Sequence, residues 1–151
     1  MAVAKRIIYP PIWLVIGVSA IFALNEFYPG GRYTGLVSQL SGGALIVAGL
    51  LLLVNAGGLF TKAGTDLVPF KNVTTLITDG VYRYTRNPMY LGMTLVLLGT
   101  AITVGAMTAL LVPPVFMAII EFRYIRPEEE MLLGLFPDQF PEYCARVRRW
   151  L

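Results

Sequence analysis

The sequence predicts an all-α, polytopic membrane protein. It has about four transmembrane helices, a helical hairpin in its second half and an amphipathic C-terminal helix on the cytoplasmic side. Three observations lead there. The chain is 56% hydrophobic and only 14% charged, against roughly 25% charge in an average soluble domain, and its mean hydropathy is +0.68. Three stretches, 7–25, 33–61 and 87–120, contain no Asp, Glu, Lys or Arg. The basic residues lie almost entirely at one set of loop ends, as cytoplasmic loops require.

The elements follow in chain order. A bilayer-crossing helix needs about 20 mostly apolar residues, so the first charge-free stretch holds one span, near 11–24, and the second holds one, near 40–60. Lys5-Arg6 followed by an apolar core also resembles a signal peptide, but no Ala-x-Ala cleavage site follows, so the segment reads as a span. The third stretch has 34 residues, from 87 to 120, too many for one helix. Gly105 near its middle marks a tight turn between spans near 89–104 and 107–124. Pro113-Pro114 should kink or delay the fourth helix, because proline lacks the N–H and its ring clashes with the preceding turn. The loop 61–86 and the tail 125–151 then share the cytoplasmic side with both termini. That topology places Lys5, Arg6, Lys62, Lys71, Arg83, Arg86, Arg123, Arg126, Arg146, Arg148 and Arg149 inside and only Arg32 outside. The 151 residues read as one integral-membrane domain.

Composition also excludes chemistry. There is no histidine and one cysteine, Cys144, so a disulfide framework, a histidine base and a zinc or other metal centre are not expected. A net charge of +3 beside apolar runs is membrane-flanking charge, with no nucleic-acid surface implied. "SGGALIVAGL" places Gly42, Gly43 and Gly49 at helical spacing, suited to close helix packing.

The polar chemistry gathers in two places. In "DGVYRYTRNPMYLG", Asn87-Pro88 reads as a helix start, with Asn at the N-cap and Pro at the first helical position. Its dipole end, with Arg83 and Arg86, suits an anionic group. Arg and Tyr at such a boundary also serve as snorkelling anchors and aromatic belt. In "RYIRPEEEMLL", Pro127 looks like another helix start with Glu128, Glu129 and Glu130 in the first turn, where the dipole alone would favour acids. The hairpin brings both clusters to one membrane face. Carboxylates without metal-ligand partners suit an ammonium; arginines suit a carboxylate or phosphate; tyrosine faces suit a ring or a sulfonium. S-adenosylmethionine carries all these parts, though the residues permit that ligand without selecting it. In the tail, Phe136, Phe140, Tyr143, Val147 and Leu151 form an amphipathic stripe that lies on the membrane or packs over the site. Cys144 has no nearby base and reads as a small packed residue.

"TDGVYRYTRNPMYLG" resembles the central motif of the isoprenylcysteine carboxyl methyltransferase family, Gly-x-Tyr…Arg-His-Pro-x-Tyr-x-Gly, a pattern largely shared by phospholipid N-methyltransferases. "RPEEEMLLGLFPDQFPEYCARV" resembles the family's second motif, a Glu-Glu pair followed by Phe-Gly-x-x-Tyr-x-x-Tyr-x-x-x-Val. The resemblance covers about half the chain, from Thr78 onward. It implies an integral-membrane enzyme that takes S-adenosylmethionine from the cytoplasm and methylates a lipid-like or lipidated substrate from the bilayer. Gly80, Tyr82, Arg86, Pro88, Tyr90 and Gly92 match the first motif, Glu128 and Glu129 the acidic pair, and Phe136, Tyr143 and Val147 the tail. Asn87 stands where the pattern has His, Pro137 where it has Gly, and Phe140 where it has the first tail Tyr.

The expected reaction is in-line methyl transfer governed by proximity and orientation. Glu128 and Glu129 are expected to take the cofactor's ammonium, with Gly80, Tyr82, Asn87, Pro88, Tyr90, Gly92 and Tyr143 around it. A carboxylate acceptor needs no base and would be held by Arg86 with Arg123 or Arg126. An amine acceptor needs a base, and Glu121 is the candidate. The competing readings are a phospholipid amine N-methyltransferase, a membrane reductase using a nicotinamide cofactor, and a non-enzymatic scaffold or transport subunit. Transport is disfavoured because no ionisable residue lies deep in a span.

Overall fold

The computed structural model describes residues 9–64 and 73–151, so Lys5, Arg6 and Lys71 lie outside the described residues. The described elements are helical: α1 (Pro10–Phe27), α2 (Leu36–Lys62), α3 (Pro88–Val104), α4 (Val112–Ile120), α5 (Arg126–Leu135) and α6 (Gln139–Arg146). A 3-10 turn, Gly80–Arg83, precedes α3. Three helical segments are long and apolar enough to cross a bilayer: Pro10–Phe27, Leu36–Lys62 and Met107–Leu135. α3 has 17 residues, the short end of the roughly 17–25 that span hydrocarbon.

The hairpin turns where the sequence places it. Gly105 adopts φ 78°, a left-handed conformation that suits glycine, and its N–H closes α3 on the Ala101 carbonyl. The α1–α2 connection is pinned to this turn. The Tyr33 N–H donates to the Gly105 carbonyl at 2.9 Å, and the Met107 N–H donates to the Gly31 carbonyl at 2.9 Å.

The fourth segment departs from expectation. A 3-10 turn, Met107–Leu111, comes first, and the α-helix starts at Val112 with Pro113 and Pro114 in its first turn, so the prolines do delay it. The helix does not then end near 124 and restart at Pro127. It runs on through a π turn, Glu121–Ile125, directly into α5. The Arg126 N–H donates to the Glu121 carbonyl, five residues back. The wider turn accommodates Pro127, which has no N–H and would crowd a regular α ladder. The glutamates therefore sit partway along a continuous rod, with no free helix start beneath them.

α2 and α3 pack antiparallel with their backbones nearly touching. A Cβ on Gly49 would lie 2.6 Å from the Gly92 carbonyl oxygen, and one on Gly99 would lie 2.5 Å from that of Gly42. Glycines seven residues apart on both helices make the approach possible. Gly43 faces open space. The core between α1, α3 and the α4 rod is filled by Ile21, Leu97, Phe116, Ile120 and Ile125. α2 turns Val37, Leu40, Val47, Leu50 and Val54 outward, as a lipid-facing helix must. The protein is an integral membrane protein.

Candidate functional site

At the end opposite Gly105, the start of α1, the end of α2, the 3-10 turn, the start of α3, α5 and α6 enclose a cavity of about 490 Å³. That is within the roughly 300–1,000 Å³ of small-molecule sites. Its walls are mainly apolar or aromatic: Tyr9, Pro10, Phe60, Leu76, Tyr82, Met89, Tyr90, Met93, Leu132, Phe140 and Tyr143. Arg86, Asn87, Glu128 and Glu129 supply its charged and amide groups.

Local sequence chemistry shapes the wall. Gly80 takes φ 61° against Leu59, a position closed to most side chains. The 3-10 turn buries Tyr82, whose ring meets Phe60 edge-on at 5.9 Å. The Tyr143 hydroxyl donates to the Tyr82 carbonyl at 2.7 Å and fastens α6 to this turn. Burial pushes both phenols above the ordinary tyrosine range, so both stay neutral. Phe140, Tyr143 and Val147 form a small buried cluster with Leu76, Leu132, Phe136 and Cys144. The tail stripe thus packs over the site, apart from Leu151, which is exposed.

Asn87 occupies the N-cap of α3, but its side chain makes no cap bond. Its amide instead donates to the Arg149 carbonyl at 2.9 Å, beside the Thr85 hydroxyl, which donates to the same carbonyl at 3.2 Å. The Arg86 N–H donates to the Arg148 carbonyl at 2.9 Å. The C-terminal segment is therefore bonded along residues 85–87.

The acidic pair divides. Consecutive helical residues point about 100° apart, so Glu128 and Glu129 meet different neighbours. Glu128 receives the Tyr90 hydroxyl at 3.3 Å. Glu129 is gripped by Arg149, through Nε at 3.0 Å and Nη2 at 2.6 Å, and touched by Arg86 Nη2 at 3.1 Å. Its carboxylate is committed to guanidiniums, whereas Glu128 lines the cavity beside Tyr90.

Three predicted catalytic residues lie away from the cavity wall. Glu121 accepts from Arg126 at 3.0 Å, Arg149 at 3.0 Å and the Trp150 indole at 3.2 Å. A carboxylate so paired is a poor proton acceptor, which argues against the base expected there. Arg126 faces Glu121 and lies over the Phe122 ring at 4.3 Å. Arg123 is exposed. Neither arginine joins Arg86 at the cavity. Gly80, Pro88 and Gly92 support the wall from behind: Gly80 turns the chain, Pro88 starts α3 and Gly92 seats α2. Tyr82, Arg86, Asn87, Tyr90, Glu128, Glu129 and Tyr143 do line the cavity. Sequence alone gives Arg149 only as cytoplasmic flanking charge, because its partners are 20 and 28 residues away and no periodicity links them. Among the described residues, no group of His, Cys, Asp and Glu could hold a metal ion.

The family model for phospholipid methyltransferases matches residues 37–139. The protein-S-isoprenylcysteine O-methyltransferase of Schizosaccharomyces pombe is 32% identical over 72 residues, covering 48% of this chain and 30% of that protein. The chain thus spans less than a third of that curated relative. The solved structure of the eukaryotic intramembrane Ras methyltransferase ICMT (isoprenylcysteine carboxyl methyltransferase) superposes with a TM-score of 0.69 at 22% identity. The superposition covers 100% of this chain and 53% of that one, so the two share a fold.

Proposed function

This chain belongs to the phospholipid methyltransferase family, and from that premise we propose that it methylates an ionised acceptor on a bilayer-held, lipid-like substrate, an isoprenylcysteine carboxylate in its most specific form. The cofactor of this reading is S-adenosylmethionine, which supplies an activated methyl group on a sulfonium. The residues fit it. Glu128 offers a carboxylate to an ammonium, with Tyr90 steadying one oxygen. Tyr82 and Tyr90 present buried aromatic surface beside it. Arg86, Arg126 and Arg149 against Glu121 and Glu129 leave 3 − 2 = +1 charge in the ion-pair network. Arg86 is the member of that network that brings positive charge to the cavity wall, beside Glu128 and Glu129.

The observation that carries the reading is that Glu128 and Arg86 face one apolar cavity at a membrane end. A polar ligand and an apolar-tailed acceptor can meet there, and reacting atoms must come within about 3–3.5 Å. Arg86 orients the acceptor's carboxylate. An amine acceptor would need a base, yet Glu121 and Glu129 are paired to arginines and the phenols of Tyr82 and Tyr143 are held neutral. A carboxylate acceptor is therefore favoured over the headgroup amine of a phospholipid.

The test is methyl transfer by detergent-purified protein from methyl-labelled S-adenosylmethionine to S-farnesylcysteine or to phosphatidylethanolamine. Base-labile label on farnesylcysteine alone is expected. Label on the headgroup amine would select the N-methyltransferase reading, and no transfer to either would leave the reductase or scaffold readings.

The cavity end faces the cytoplasm in this account, with both termini there. Among the described residues, Lys62, Arg83, Arg86, Arg123, Arg126, Arg146, Arg148 and Arg149 belong to elements at that end, while Arg32 lies beside the Gly105 turn. A cysteine introduced at Met107, which is exposed beside the Gly105 turn, should react with an impermeant thiol reagent from outside intact cells; labelling only after permeabilisation would contradict the orientation.

A further inference from the structure

We propose that Arg149 is a positioning residue for the acceptor site: by sharing the Glu129 carboxylate, it keeps Arg86 available to an anionic ligand. This rests on the functional reading above. Arg149 covers both Glu129 oxygens with a two-pronged contact, Nε at 3.0 Å and Nη2 at 2.6 Å, and sends Nη1 to Glu121 at 3.0 Å. Arg86 has only one ion-pair contact with Glu129, through Nη2 at 3.1 Å. Its Nε is buried without a hydrogen-bond partner among the described residues.

The main chain fixes this division. The Arg149 carbonyl accepts from both Thr85 and Asn87, and the Arg148 carbonyl accepts from the Arg86 N–H. The two guanidiniums are therefore held in register from opposite ends of the same backbone contact. A carboxylate between two guanidiniums neutralises neither fully. Without Arg149, Glu129 would turn both oxygens to Arg86, because a bidentate pair is the strongest geometry open to them. Arg86 would then be capped by its own protein, and at 13% side-chain exposure that pairing would be little weakened by water.

Removing Glu129's charge should therefore repair the loss of Arg149. The readout is the Kd of S-farnesylcysteine with S-adenosylhomocysteine present, so that no turnover occurs. Arg149→Met should weaken binding by about tenfold or more, the scale of a lost charge-assisted contact. Arg149→Met with Glu129→Gln should return to within about threefold of wild type. S-adenosylhomocysteine affinity should stay within about twofold throughout, because Glu128 is untouched. A purely structural role for Arg149 would make the double variant no tighter than the single one, and that result, or wild-type binding by Arg149→Met, overturns the proposal. If Arg149→Met does not fold, Glu129→Gln alone decides: binding at least as tight as wild type is expected, and weaker binding overturns it. If the wild type binds neither ligand, the functional reading fails and this inference fails with it.

Discussion

Arg86→Lys should lower turnover by at least about tenfold while the protein still inserts, folds and binds S-adenosylmethionine. Lysine keeps the positive charge and most of the ability to reach the interface. It loses the planar, multi-donor fork, of which Nη2 touches Glu129 at 3.1 Å while the residue lines the cavity. A single ammonium at the same site would follow the Glu129 carboxylate and leave the acceptor unoriented. Rate is sensitive to such misplacement, since a displacement of about 1 Å from the productive geometry can cost about a hundredfold. The measurement is steady-state kcat and KM for S-farnesylcysteine, with thermal unfolding in detergent as the control. A variant that unfolds and turns over like wild type would make Arg86 an interfacial anchor and nothing more.

Glu128→Gln should weaken S-adenosylmethionine binding by about 10- to 150-fold, the loss of one charge-assisted contact worth about 1.5–3 kcal/mol. The substitution keeps shape, and its amide oxygen can still accept the Tyr90 hydroxyl that reaches Glu128 at 3.3 Å. The fold should therefore be unchanged. Glu129→Gln is the matched control: its carboxylate serves Arg86 and Arg149, so cofactor affinity should stay within about twofold of wild type. Calorimetric titration of the two variants separates the neighbours. Equal losses at both positions would mean that the acidic pair acts as one undivided patch.

Features carried by local chemistry were legible in the sequence. The long charge-free run between Asn87 and Ile120 demanded a turn, and Gly105 was the residue able to make it in a left-handed conformation. Pro113-Pro114 announced the delayed helix. Tyr82, Arg86, Asn87, Tyr90 and Tyr143 reached the cavity wall because their motifs sit where helices meet the membrane boundary. Features that depend on tertiary register were not legible. Pro127 reads from sequence as a helix start, yet it lies just past a π turn in a continuous rod, an outcome that local sequence does not carry. Gly92 matched a site motif, yet its contact is with Gly49, set by the alignment of α2 on α3. The separation of Glu128 from Glu129 follows from helical rotation, but which one faces the cavity depends on where Arg86 and Arg149 stand.

A cavity built for S-adenosylmethionine at a membrane boundary must bind that ligand in the isolated protein. Isothermal titration of the detergent-purified protein with S-adenosylmethionine, alongside NADPH, tests it most directly. Saturable binding of S-adenosylmethionine at one site per chain, lost on Glu128→Gln, with no heat from NADPH, is the result this account predicts. Saturable binding of NADPH without S-adenosylmethionine, or of neither, would contradict it.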